Sequence, residues 1–270
     1  LFLLVLAVWL PAVVGFGVLA ASTYRREEAR AKDNLEQLVD SINQLVEREI
    51  DQRALLARTL AASSDLREGR LDGFHRAALQ ATQGRGDWAF VVDRQQVLAT
   101  TLLPAVQAPF ARPPDGPFLL DGPPAVAFHL RGPVKGRPVI GVLVPAPQPG
   151  GVRFNVGVGF EPAVLQAVLE RQRLPEGSIA AVLDAQQRVV ARNRDPAKYV
   201  GVPATAQVQA RVRAGESGFF DGQTLDGVST LGLLSRRNRH GWVTVIGLPH
   251  STLLRAAQGV TLQALGASAA

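Results

Sequence analysis

The side chains best suited to metal binding or acid–base catalysis are four histidines: His75, His129, His240 and His250. None of them stands at a zinc-type spacing from another histidine or from a carboxylate. The sequence contains no cysteine, which excludes thiolate metal ligands and a thiol nucleophile. It also lacks the motifs of a serine nucleophile and of a phosphate-binding loop. We therefore predict that this segment is not an enzyme and has no catalytic site, no metal site and no cofactor.

Three cationic side chains in the first half of the chain could bind a ligand. His129 and Arg131 share one face of a predicted strand whose other face is apolar. Arg112 precedes them in a proline-rich loop. Arginine suits carboxylates, because its planar guanidinium donates two parallel hydrogen bonds. We predict an anionic or zwitterionic ligand here; the alternative is that His129 and Arg131 face water.

A second group of polar candidates lies beside apolar strands in the other half of the chain. Its members are Arg192, Asp226 and Arg236. These residues complete our set of predicted ligand-binding residues. An equally good interpretation pairs Asp226 with an arginine in a purely structural role.

The first 62 residues predict a membrane-anchored rod. Residues 1–21 carry no charge, and about 20 apolar residues suffice to cross about 30 Å of hydrocarbon. We predict a transmembrane helix there; a cleaved signal peptide and a buried core helix are the alternatives. Residues 22–62 contain no proline or glycine and have apolar residues at spacings of three and four. They predict a long stalk helix that packs on its own domain, pairs with a second chain, or does both.

Composition argues for a folded domain and against a nucleic-acid partner. The 270 residues are 47% hydrophobic, and the net charge of +6 comes from scattered arginines without a basic run.

At the other end of the chain, residues 251–270 predict a helix leading into a truncated second transmembrane segment.

Beyond residue 62 the sequence repeats itself. Residues 90–96 resemble residues 181–187, so that Asp93 and Asp184 stand 91 residues apart (184 − 93). Residues 156–158 likewise resemble residues 245–247, at an offset of 89 (245 − 156). Each aspartate is expected to close a hairpin turn, because its carboxylate can bond the main chain two residues on. We predict an α+β fold of two tandem PAS-like units with antiparallel sheets, at residues 63–174 and 175–250.

The second repeat carries the more specific family pattern. Its motifs lie at residues 179–184, 190–196, 199–201, 218–220, 225–228, 235–236 and 241–245. In this pattern, and in the order of anchor, long helix and two units, the chain resembles double CACHE (dCACHE) sensor regions of bacterial receptors. It is most similar to those of HWE-type sensor histidine kinases. The aromatic-Arg-x-Trp-aromatic signature of the amino-acid-binding subgroup is absent.

The resemblance implies a ligand-sensing region in the periplasm or extracellular space, held in the bacterial inner membrane and contacting the lipid bilayer. It implies a homodimer, a small-molecule ligand in the membrane-distal unit, and a histidine kinase as the missing cytoplasmic part. The alternative is a non-ligand-binding dimerisation or partner-docking module of a diguanylate cyclase or chemoreceptor.

Overall fold

The structure is a computed structural model that describes the main chain of residues 2–104, 109–113, 116–148, 151 and 153–252, with side chains from residue 32 onward. The predicted transmembrane helix at residues 1–21 lies outside the described side chains, and most of the predicted terminal helix lies beyond the described chain. From residue 32 onward, the described chain contains no helix that is long and apolar enough to cross a membrane.

The chain folds into six helices and eleven strands within these ranges. The helices are α1 (Phe2–Ala61), α2 (Ser64–Arg67), α3 (Leu71–Thr82), α4 (Ala163–Glu170), α5 (Pro196–Tyr199) and α6 (Ala206–Ala214). The strands of the first half are β1 (Trp88–Val92), β2 (Gln96–Thr100), β3 (Phe110–Ala111), β4 (Ala125–His129), β5 (Val139–Ala146) and β6 (Phe154–Phe160). Those of the second half are β7 (Ile179–Leu183), β8 (Val189–Arg192), β9 (Gly218–Gln223), β10 (Ser229–Leu234) and β11 (Val243–Pro249).

Two antiparallel sheets share one strand order. The first sheet runs β3-β2-β1-β6-β5-β4 and the second runs β8-β7-β11-β10-β9. Without the short edge strand β3, the first sheet has the order of the second, strand for strand. In the first hairpin of each sheet the strand register shifts at the equivalent place, between Val91 and Val92 in β1 and between Val182 and Leu183 in β7. The predicted mixed fold with antiparallel sheets is confirmed.

The last strand of the repeat aligns one residue away from the expected offset. Gly141 on β5 pairs with Gly159 on β6, and Gly232 on β10 pairs with Gly247 on β11. Gly159 is therefore equivalent to Gly247, an offset of 88 (247 − 159), so the predicted offset of 89 is wrong. Because side chains alternate across a sheet, this one-residue difference decides which residues face the core.

Helix α1 covers one face of both sheets. Its buried apolar side chains recur three or four residues apart: Leu35, Val39, Ile42, Val46, Ile50, Ala54 and Ala57. They pack against the strands β5, β6, β10 and β11 and against α4. The predicted stripe thus packs on the chain's own sheets, and pairing with a second chain stays a prediction.

The loop between β10 and β11 is tied to α1 by three polar side chains. Asn43 Nδ2 donates to the carbonyl of Arg236 at 3.0 Å. Glu47 accepts from the main-chain N–H of Arg239 at 3.1 Å and from its guanidinium at 2.7 Å. Asp51 lies 2.9 Å from Nε2 of His240, whose side chain is only 4% exposed. The second sheet is thereby tied to the helix through polar contacts as well as through its core.

The repeated aspartates form the predicted turns. Asp93 Oδ1 accepts from the main-chain N–H groups of Gln95 and Gln96 at 2.7 and 2.6 Å. Asp184 Oδ1 accepts in the same way from Gln186 and Arg188. Each carboxylate therefore accepts hydrogen bonds from main-chain N–H groups that a tight turn would otherwise leave without a partner.

Candidate ligand-binding site

The face of the first sheet away from α1 encloses a cavity. Along β1, Ala89 and Val91 point into the core, whereas Trp88, Phe90 and Val92 point to the other side, as the two-residue period of a strand requires. On the neighbouring strand β6 the cavity side is formed by glycine. A Cβ on Gly157 or Gly159 would collide with the rings of Phe90 or Trp88, so these glycines allow the rings to lie flat on the sheet.

The first cavity is large enough for a small metabolite. It has a volume of about 90 Å³, and a single water molecule needs only about 10–15 Å³ of such space. Its floor is apolar, with Phe90, Val97 and Leu143 among the lining residues. Its roof comes from the proline-rich segment around Arg112 and from the loop between β4 and β5. An apolar pocket with a few polar groups at its rim is the usual form of a small-molecule site.

Arg112 lies in the wall of the first cavity, but its guanidinium holds the roof in place. It donates to the main-chain carbonyls of Asp93 at 3.1 Å and Pro117 at 2.8 Å, and to that of Gly116. Burial lowers the pKa of Arg112, while the charge of Asp93 acts in the opposite direction. Arg112 thus positions the proline-rich segment over the cavity and adds positive potential there.

The other two predicted residues of the first half separate at the end of β4. His129 is half-buried and lines the first cavity. Arg131 follows the end of the strand, is exposed and does not line the cavity. The structure therefore brings Arg112 and His129 to one cavity and leaves Arg131 outside it.

Sequence reasoning missed three charged residues at this site. Lys135 and Arg137 come from the β4–β5 loop, and Glu161 follows β6 directly. Among the described lining residues, the cations Arg112, Lys135 and Arg137 thus outnumber the single carboxylate of Glu161. This excess of positive charge favours an anionic or zwitterionic guest. The β4–β5 loop holds two glycines, two prolines and two cations within residues 132–138. This composition is the one feature of the sequence that could have indicated a binding loop.

Arg188 connects the wall of the first cavity to the second sheet. Its guanidinium donates to the carbonyl of Phe128, the residue before His129, at 2.8 Å. It also pairs at 2.8 Å with Asp184, whose side chain is 1% exposed. The turn that opens the second sheet is therefore bonded to the strand that carries His129.

Two of the predicted residues of the second half form an ion pair. Arg192 NH2 lies 2.6 Å from Asp226 Oδ1, and the guanidinium stacks 4.0 Å from the ring centre of Tyr199. The Arg192 side chain is 2% exposed and also lines a second, smaller cavity. Arg236 is exposed and lies apart from this pair, beside α1. The three residues do not converge on one site.

The ion pair predicts a pH dependence of stability. Partial burial raises the pKa of Asp226, but the hydrogen bond with Thr224 and the charge of Arg192 outweigh it, so this pKa lies below its ordinary value of 3.8. Because the pKa of Asp226 is lower in the folded state than in the unfolded state, its ionised carboxylate stabilises the fold fully above pH 3.8. This stabilisation is lost as the pH falls below 3.8 and through the pKa of the folded state.

We expect Asp226→Asn to unfold more easily than the wild type at pH 7, with a difference that narrows below pH 3.8. Urea unfolding of both proteins at pH 7 and at pH 3 measures the difference. An equal difference at both pH values would contradict this role of the pair.

Comparison with known proteins finds this fold in solved sensory domains. No family model matches the sequence, and no curated protein is similar to it in sequence. Many solved structures resemble the fold, and three of them serve as examples. The extracellular domain of rpHK1S-Z16, assigned as a histidine kinase, has a TM-score of 0.57 at 13% identity, covering 77% of this chain and 98% of its own.

The other two come from Campylobacter jejuni. The periplasmic sensory domain of the chemoreceptor Tlp1 has a TM-score of 0.60 at 9% identity, covering 84% of this chain and 98% of its own. The ligand-binding domain of the chemoreceptor Tlp3, in complex with L-valine, has a TM-score of 0.59 at 11% identity, covering 87% and 97%.

The fold is that of double CACHE sensor regions. The features that carry this likeness are two sheets with the same strand order, apart from the short edge strand β3, and one long helix that covers a face of both.

Proposed function

We propose that this chain is the extracytoplasmic sensing region of a bacterial transmembrane receptor, and that it binds a small anionic or zwitterionic molecule in the first cavity. The observation that supports this proposal is an apolar cavity of about 90 Å³ with cationic groups around it, on the sheet face opposite α1. In this proposal residues 63–174 form the membrane-distal unit and residues 175–250 the proximal one. The fold occurs in sensory domains of histidine kinases and chemoreceptors, and one of these is in complex with L-valine.

The signal would leave through the contacts of the cavity wall. A ligand that draws the β4–β5 loop inward acts on β4 and, through Arg188, on the turn at Asp184. Helix α1 packs on both sheets, so a change in the relation of the sheets also changes their packing on the helix. Such a change alters the output only as far as the ligand binds one of two states more tightly.

A thermal-shift screen of the full chain with small carboxylates and amino acids tests the sensing role. A ligand at one hundred times its Kd stabilises the folded state by about 2.7 kcal/mol. We expect His129→Ala to reduce the shift, because His129 lines the cavity. Arg131→Ala is the matched control, since Arg131 lies two residues further along the chain, just after the end of β4, and does not line the cavity.

Two results would count against the ligand site. One is that no compound of either class raises the melting temperature. The other is a shift that persists in His129→Ala and disappears in Arg131→Ala.

For the output we propose a histidine kinase acting as a membrane-bound homodimer. The extracellular domains of proteins assigned as histidine kinases are among the similar structures, as are chemoreceptor domains. Reading the coding sequence beyond Ala270 decides between them, because a kinase and a chemoreceptor differ completely there.

A further inference from the structure

The second sheet has its own cavity at the equivalent place. The strand pairings make Trp88, Val92 and Val97 equivalent to Ile179, Leu183 and Val189. The first three residues line the first cavity, and the second three line the other. Gly141 and Gly159 correspond in the same way to Gly232 and Gly247. The duplicated fold thus carries a duplicated cavity, on the side away from α1.

The second cavity is smaller and differs in its walls. Its volume is about 60 Å³, which corresponds to about four to six non-hydrogen atoms if each takes up as much space as a water molecule. Where the first cavity has the ring of Phe90, the second has Ala181, and Ala204 and Val208 cover it from the side of α6. Small side chains therefore leave the space open.

Of the polar side chains around the second cavity, Gln223 is exposed and the others already have partners. The Thr205 hydroxyl caps α6 by accepting from the N–H of Val208, and the Thr230 hydroxyl donates to the carbonyl of Gly222. The charge of Arg192 is matched by Asp226 at 2.6 Å. An ion that entered would lose its hydration without gaining a free counterion, which is unfavourable.

We propose that this second cavity is a binding site for a small, neutral and largely apolar molecule of short-chain alcohol or ketone size. The site is separate from the first cavity, and its guest differs in charge. Such a guest restores the van der Waals contacts that an empty apolar cavity lacks. It binds between the second sheet and α6.

Methyl NMR of the full chain tests the proposal with two probes of equal size. 2-Propanol is neutral, whereas acetate is charged; xenon serves as a wholly apolar third probe. We expect 2-propanol and xenon to cause saturable shift changes at the methyls of Ala181, Ala204 and Val208. Acetate at the same concentration is expected to leave them unchanged. The methyls of Ala180 and Val182, which lie on the opposite face of the same strand, are the internal reference.

A cavity-filling variant adds a second, independent test. Ala181→Leu is expected to abolish the 2-propanol response of Ala204 and Val208, whereas Val97→Leu, at the first cavity, leaves it intact. Equal shifts at Ala180 and Ala181 in the wild type overturn the proposal even if Ala181→Leu fails to fold. Binding of acetate at the three methyls overturns the neutral character of the guest. Neither result bears on the carboxylate screen of the first cavity.

Discussion

Replacing Arg53 by alanine is expected to lower the free energy of unfolding by about 3–5 kcal/mol, the usual cost of removing one partner of a buried ion pair. The Arg53 side chain is 8% exposed and donates twice to Asp87, at 2.8 and 3.1 Å. It also bonds Glu49 at 2.7 Å and stacks 4.0 Å from the ring centre of Phe160. Without it, the carboxylate of Asp87, 6% exposed, stays buried next to the strand that starts with Trp88.

Urea unfolding of the wild type and three variants measures this effect. Arg48→Ala is the matched control, because Arg48 lies on the same helix but is exposed, so its loss is expected to change stability by less than about 0.5 kcal/mol. The double variant Arg53→Ala/Asp87→Ala is expected to be more stable than Arg53→Ala alone, since it removes the stranded charge as well. Equal losses in the Arg48 and Arg53 variants would show that the pair adds nothing.

The variant Gly157→Val is expected to abolish ligand binding in the first cavity while the chain still folds. A Cβ at this position collides with the ring of Phe90, and the free space beside that ring is the cavity itself. The ring therefore moves into the space that a ligand would occupy. We expect a loss of stability of about 1–3 kcal/mol, as for other overpacked sites, and the loss of any thermal shift found with the wild type.

The second sheet provides the compensating variant. There Ala181 pairs with Val245, at the positions equivalent to Phe90 and Gly157, so the large and small side chains are exchanged. The double variant Phe90→Ala/Gly157→Val copies this arrangement and is expected to regain stability relative to Gly157→Val. A wild-type ligand response in Gly157→Val, measured by thermal shift, would mean that binding does not use this cavity.

The sequence repeat predicts much of the fold, because its signals are local. The turns at Asp93 and Asp184 are encoded by an aspartate and the next few residues, and the stripe on α1 follows from its helical period. The offset of the last strand is a different matter. Several alignments of short valine- and glycine-rich strands fit equally well, and the pairings of β6 and β11 with their neighbouring strands decide between them.

The site is less predictable, since its parts come from distant segments. His129 could be placed by strand alternation, but its cavity is completed by a loop without periodicity that carries Lys135 and Arg137. For Arg192 the sequence leaves ligand contact and structural pairing both open, because its partner Asp226 lies 34 positions away along the chain. Arg53 is the clearest miss: an arginine within an amphipathic helix gives no sign that it is buried.

The three side chains that tie α1 to the β10–β11 loop stand four residues apart, at Asn43, Glu47 and Asp51. Each residue of an α-helix turns by about 100° and rises about 1.5 Å. Rotating the rod about its axis therefore swings all three away from the loop together. A shift of about 6 Å along the axis with a turn of about 40° instead brings two of the three into the place of the next one, so rotation breaks these contacts together whereas sliding by one helical turn exchanges them.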